Sequence, residues 1–134
     1  MGAWGVLAYD NDDANDWACG LDDVTNLSLV EQAFAAVETA VAYLEAPQAC
    51  EALAASEVLA RLLGHPSYHN AYTRKVDEWV GRHPLKPSPR LLARASSVID
   101  RILGEKSELR ELWEEGDAGE WLTAVEDLRS RLRV

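Results

Sequence analysis

Apolar residues recur at alternating spacings of four and three at Val30, Phe34, Val37, Val41 and Leu44, while Glu31, Glu38 and Glu45 repeat every seven residues on another face. That spacing predicts an amphipathic helix whose acids point to solvent. Ser28-Leu29-Val30-Glu31 reads as a capping box at its start, the hydroxyl and the carboxylate each satisfying a free amide of the first turn. Pro47 stops this helix and suits the first turn of the next, which runs to Leu63 and exits through Gly64 and Pro66. The few polar residues of this second helix, Glu51, Ser56, Glu57 and Arg61, are scattered around its circumference. A helix apolar on nearly every side belongs at the centre of a fold.

Tyr72, Val76, Trp79 and Val80 share one face of a third helix, and the run from His83 to Pro89, with three prolines, makes a stiff connector after it. Ser88 is placed to cap the following helix, with Pro89 in its first turn and a stripe of Leu92, Ala95, Val98, Ile99, Ile102 and Leu103 ending at Gly104. Ser107 starts a short helix bearing Leu109, Leu112 and Trp113. Asp117 to Glu120 resembles a second capping box, opening a last helix with Trp121, Val125, Leu128 and Leu132 on its buried face and an Asp127–Arg131 pair toward solvent. Beyond a few extended residues at Ala3 to Tyr9 no strand pattern occurs, so the expectation is all-α: a single compact domain over residues 1–134, of about six or seven helices, with a short irregular or extended N-terminal segment.

Charge alters this picture more than composition does. The 134 residues carry a formal charge of -10 with a pI near 4.6, but the charge is unevenly placed. Residues 1–60 hold 11 Asp or Glu and no Lys or Arg, whereas the rest of the chain holds 13 Lys or Arg against 12 Asp or Glu. Nucleic acid is excluded as a partner because binding it relies on neutralising phosphates, and anionic membranes are disfavoured for the same reason. An acidic half folded onto one side would attract cations or a basic protein; it would equally serve solubility alone. Cys19 and Cys50 lack any metal or redox spacing and read as small buried hydrophobes in a reducing compartment. The opening residues lack the pattern of a signal peptide, Val6 stands where myristoylation needs Ser or Thr, and no apolar run is long enough to span a membrane. The expected location is cytoplasmic.

The acids of the opening segment invite chemistry. Asp10 or Asn11 can cap a helix starting near Asp12, and Asp12 and Asp13 then meet the positive end of its dipole. Asp16 lies one turn beyond Asp12, where a like charge is unfavourable, so Asp12, Asp13 and Asp16 are candidate ligands for Mg²⁺, Mn²⁺ or Ca²⁺, with Glu57 as a further ligand or general base. The spacing is not that of an EF-hand. Glu57 itself is either a surface partner of Arg61 or a buried carboxylate near the N-terminal aspartates. Gly2 and Gly5 allow the backbone to turn tightly around Trp4, which is expected to pack into the core. His65 and His69 have a zinc-like spacing that Pro66 spoils. Tyr68, His69 and Tyr72, near the start of their helix, form a candidate exposed aromatic patch. No nucleophile, phosphate-loop or dinucleotide pattern occurs, so no catalytic residue is assigned and no cofactor beyond a divalent metal is implied.

Gly2-Ala3-Trp4-Gly5, Asn11-Asp12-Asp13-Ala14 and Asp16-Trp17, together with Glu57-Val58-Leu59-Ala60 and Ser107 to Trp113, resemble the signature of a bacterial family known as domain of unknown function 4259. Leu7 and Tyr9 stand where that pattern has glycine and phenylalanine. The resemblance implies a small helical bacterial protein and brings no activity with it. Two functions follow as expectations. One is a non-enzymatic module, antitoxin-like or inhibitor-like, docking a basic protein through its acidic half, with Trp4, Asp10, Asp13, Glu57, Tyr68 and Tyr72 as binding residues. The other is a divalent-metal-dependent hydrolase or metal-binding protein using the aspartates. The oligomeric state stays open between them.

Overall fold

Helix α3 (Ala46–Leu62) is the axis around which the rest assembles. Of its side chains Ala49, Ala52, Ala54, Ala55, Val58, Leu59 and Ala60 are inaccessible to solvent. With so many alanines the helix presents little bulk, and α1 (Asp12–Cys19), α2 (Ser28–Glu38), α4 (Arg74–Arg82), α5 (Pro89–Leu103), α6 (Glu108–Glu114) and α7 (Gly119–Arg131) all pack directly against it. The computed structural model describes residues 3–133, which hold these seven helices and a 3₁₀ turn over Gly20–Asp23. The fold is all-α, and one continuous hydrophobic cluster takes side chains from every helix. Gly2 lies outside the described residues.

Several termini form as their sequences dictate. Asn11 caps α1 by accepting the Ala14 N–H at 2.8 Å, and the Ser88 hydroxyl accepts the Leu91 N–H at 3.1 Å with Pro89 following it. Gly64 ends α3 with φ +80°, and the bonds Gly64 N–H to Arg61 O (3.0 Å) and His65 N–H to Ala60 O (2.9 Å) make a Schellman motif. That left-handed turn sends the chain into the extended loop 65–70.

Other boundaries differ from the sequence expectation. Helix α2 begins at Ser28 itself; Asn26 Oδ1 takes the Ser28 N–H at 3.0 Å, so the capping box is not formed. It also ends at Glu38, where the Thr39 hydroxyl donates back to the Ala35 carbonyl. Val41, expected on the buried stripe, is 90 % exposed, and Leu44 is buried for another reason: it pairs in a parallel β-bridge with Ser107. Asp117 Oδ1 accepts the Gly119 N–H, so α7 also starts without a capping box. Tyr72 precedes α4, whose first residue is Arg74. Cys50 is buried as expected, but Cys19 is exposed. Among the described residues no helix is long and apolar enough to cross a membrane.

Candidate functional site

The N-terminal segment folds around one side chain. Trp4 N–H donates to the Asp10 carbonyl (2.9 Å), Asp10 N–H to the Leu7 carbonyl (3.0 Å), and Leu7 N–H to Asp10 Oδ2 (3.1 Å). An antiparallel bridge between Ala3 and Asn11 closes the loop. Gly5 lies so close to Asp10 that a Cβ added there would sit 2.3 Å from Oδ2, which explains why this position is glycine. Tyr9 anchors the loop to the core: its buried hydroxyl donates to the Ala54 carbonyl at 2.8 Å, and its N–H reaches the Tyr68 hydroxyl at 3.4 Å. Burial, and then the Glu57 charge, push the Tyr9 hydroxyl well above its ordinary pKa, and the same causes raise Tyr68.

Beneath this loop runs a narrow cleft walled by the N-terminal segment, α3, α6 and α7. Leu7, Leu53, Leu109, Trp113, Val125 and Leu128 give it an apolar lining, and Asn11, Glu57, Tyr68, Asp127 and Arg131 are its polar residues. Its cavity volume is only about 30 Å³, room for about two water molecules. The indoles of Trp113 and Trp121 lie nearly parallel beside it, 6.1 Å between centroids.

Glu57 is not the surface partner of Arg61 that one turn of helix suggests. It is 1 % exposed and lies between two guanidinium groups. Arg61 Nη1 donates to Oε1; Arg131 binds both oxygens, Nη1 to Oε1 at 2.7 Å and Nη2 to Oε2 at 2.9 Å. Arg61 extends the network through Nε to Asp77 Oδ1 (2.8 Å), through Nη2 to the Tyr68 carbonyl, and by stacking over the Tyr68 ring. Arg131, expected in a solvent pair, reaches Asp127 Oδ2 through Nε (2.9 Å), and its Nη1 donates to the His65 carbonyl, while His65 Nδ1 donates to the Arg131 carbonyl. Burial works against the charge of Asp77, but hydrogen bonds from His69, Arg61 and Thr73 outweigh it and hold the carboxyl below its usual range. For Arg131, too, burial is outweighed, by Glu57 and Asp127, and its pKa is raised. Each guanidinium has carboxylate partners and the buried charges are compensated, as charges at such depth must be. The network joins α3, loop 65–70, α4 and α7.

The N-terminal acids take no part in it. Asp12 and Asp16 are exposed and Asp13 half-buried. Among the described residues no three His, Cys, Asp or Glu side chains come together in a way that could hold a metal ion. Asp13 does lie near α3, where burial first and then its charge raise the pKa of Glu51, and with Glu51 it adds to the burial that pushes the Cys50 thiol up to about 12. His65 and His69 bond to Arg131 and Asp77 respectively.

Trp4, expected to pack into the core, lies at the surface. It is 48 % exposed, not a core residue, and its ring lies 4.9 Å from that of Tyr72, itself 47 % exposed. Tyr68 is half-buried and serves the network, so the exposed pair is Trp4 with Tyr72. Sequence reasoning misses Arg131 and Asp77, because their partners lie 74 and 16 residues away.

The site thus defines an all-α domain with a buried ion cluster, a narrow apolar cleft and an exposed aromatic pair beside an acidic helix start. A family model described as Domain of unknown function (DUF4259) matches residues 2–124, and the chain belongs to that family. No curated protein and no solved structure matches it.

Proposed function

We propose that the protein is a non-enzymatic interaction module of the bacterial cytoplasm, antitoxin-like or inhibitor-like, that docks a basic surface of another protein. The observation that carries this reading is the half-exposed pair Trp4 and Tyr72, whose rings lie 4.9 Å apart and tilted to each other, with Trp4 tied through its backbone to the start of α1. Trp4 N–H bonds to the Asp10 carbonyl and Ala3 pairs with Asn11, so the backbone that carries the indole is tied to the residues leading into α1 and its exposed Asp12. Tryptophan and tyrosine are the side chains that most often anchor interfaces, and surrounding carboxylates steer a basic partner and reject an acidic one. A charge of -10 suits neither nucleic acid nor an anionic membrane.

The test is capture of cellular proteins on the immobilised chain, comparing wild type with Trp4→Ala/Tyr72→Ala and with Asp12→Asn/Asp16→Asn at low and high salt. The reading requires a basic protein that is retained by wild type, reduced by each double substitution, and released as salt rises. Equal retention by all three proteins, or retention insensitive to salt, overturns it.

A further inference from the structure

The connection between α2 and α3 shares no residue with the Trp4–Tyr72 pair, and it presents apolar side chains to solvent on a braced backbone. Val41 is 90 % exposed and Tyr43 44 %. Leu44, next in the chain, gives its N–H to the Lys106 carbonyl and takes the Glu108 N–H, both at 2.9 Å. Arg101 Nη2 holds the other end through the Ala40 carbonyl at 3.4 Å. Because every described peptide bond is trans, the Tyr43 carbonyl points opposite to the Leu44 N–H, and the Glu45 N–H opposite to the Leu44 carbonyl. Both groups are therefore turned away from Ser107, to the outer edge. Among the described residues neither makes a hydrogen bond. Glu45 is extended, with φ -77° and ψ 148°. The edge is thus a short length of unpaired strand, the kind of backbone that accepts another chain.

We propose that this edge receives an extended, basic segment of a partner protein, whose residue opposite Leu44 gives its N–H to the Tyr43 carbonyl and takes the Glu45 N–H. In such strand addition the backbone bonds supply affinity and the alternate side chains supply specificity. The side chains flanking the paired residue lie on the face of Tyr43 and Glu45. That face is acidic: the Tyr43 hydroxyl donates to Glu111 Oε1 at 3.3 Å, and loss of water, then the charges of Glu111, Glu108 and Glu45, raise its pKa. Lys106 is a cation of the facing segment, and the Arg101 guanidinium is spent on carbonyls of the protein itself. Lysine or arginine on the incoming strand meets these acids, whereas a second copy of the same edge would set them against themselves.

The experiment titrates the isotope-labelled protein, followed by its amide NMR signals, with three capped pentapeptides: one alternating Lys and Val, one with Glu for each Lys, and the basic one with both Val nitrogens methylated. The basic peptide should shift the amide of Glu45 and bind at least about tenfold more tightly than either of the others. Glu45→Gln and Glu45→Pro remove the same charge, but only proline also removes the outward N–H, at a φ that suits it. Glu45→Pro should therefore bind the basic peptide about tenfold less tightly than Glu45→Gln, with thermal melts confirming that both variants fold. Equal binding of the three peptides, equal binding by the two variants, self-association of the free protein through the Glu45 amide, or no binding of the basic peptide overturns the proposal. Each outcome is read without the partner sought by capture, so it stands or falls separately from the Trp4–Tyr72 reading.

Discussion

Replacing Glu57 by Gln keeps the shape of the side chain and removes the charge that the ion cluster is built around. In the native protein the carboxylate accepts three guanidinium N–H groups. An amide turned to keep the Oε1 bonds presents its NH₂ to Arg131 Nη2, a donor facing a donor. Breaking a buried ion pair by removing one partner costs about 3 to 5 kcal/mol. Here Arg61 keeps Asp77 and Arg131 keeps Asp127, so the lower end applies, about 3 kcal/mol. With an unfolding entropy of about 2.1 cal/mol/K per residue, a chain of 134 residues should lose roughly 10 °C in melting temperature. Calorimetry at pH 7 measures that loss, and a cycle with Arg131→Met isolates the pair: once the arginine is also gone, much of the lost stability should return. A loss below about 1 kcal/mol, or strictly additive losses in the cycle, would refute the reasoning that charge compensation governs this cluster.

Asp77 gives a pH test. Its folded carboxyl is held below its unfolded value of about 3.9, so its stabilisation is complete above that value and is lost as pH falls through the folded one. Acid titration of stability should therefore show wild type weakening more steeply below about pH 4 than Asp77→Asn, which starts lower and changes less. Thiol labelling should separate the cysteines: exposed Cys19 reacts with a disulfide reagent in the native protein at pH 8, while Cys50, buried and pushed up to about 12, reacts only after denaturation. Gly5→Ala must displace the anchored Asp10 carboxylate, and should cost about 1 to 3 kcal/mol with faster amide exchange at Leu7. Unchanged stability and exchange would show that the loop yields freely.

What the sequence revealed depended on how local each cause is. Ser88 with Pro89, Asn11 before two aspartates, and the stripe from Leu92 to Ile102 are decided within one or two turns, and all form as read. The Ser28 box failed because a neighbour two residues back, Asn26, supplies the competing acceptor. Leu44 fits a helical stripe by arithmetic, but the backbone groups that hold it belong to Lys106 and Glu108, far along the chain. Glu57 posed the same difficulty in electrostatic form. Its own helix offers Arg61, and nothing in the surrounding residues announces that Arg131 arrives from α7. Trp4 was misplaced because size and hydrophobicity argue for burial, whereas its loop closes around Asp10 and leaves the indole at the surface, tilted against Tyr72.

The span between Glu57 and Arg131 also bears on how the chain is made. During synthesis α3 leaves the ribosome with Glu57 matched by Arg61 alone, and the second guanidinium, that of Arg131, lies 74 residues beyond Glu57. The central helix, though apolar enough to collapse early, cannot bury that carboxylate in its final setting until α7 has been translated and has docked. The last helix therefore acts as the closing step of assembly, and nascent chains halted before it would keep the middle of α3 hydrated and open to proteases.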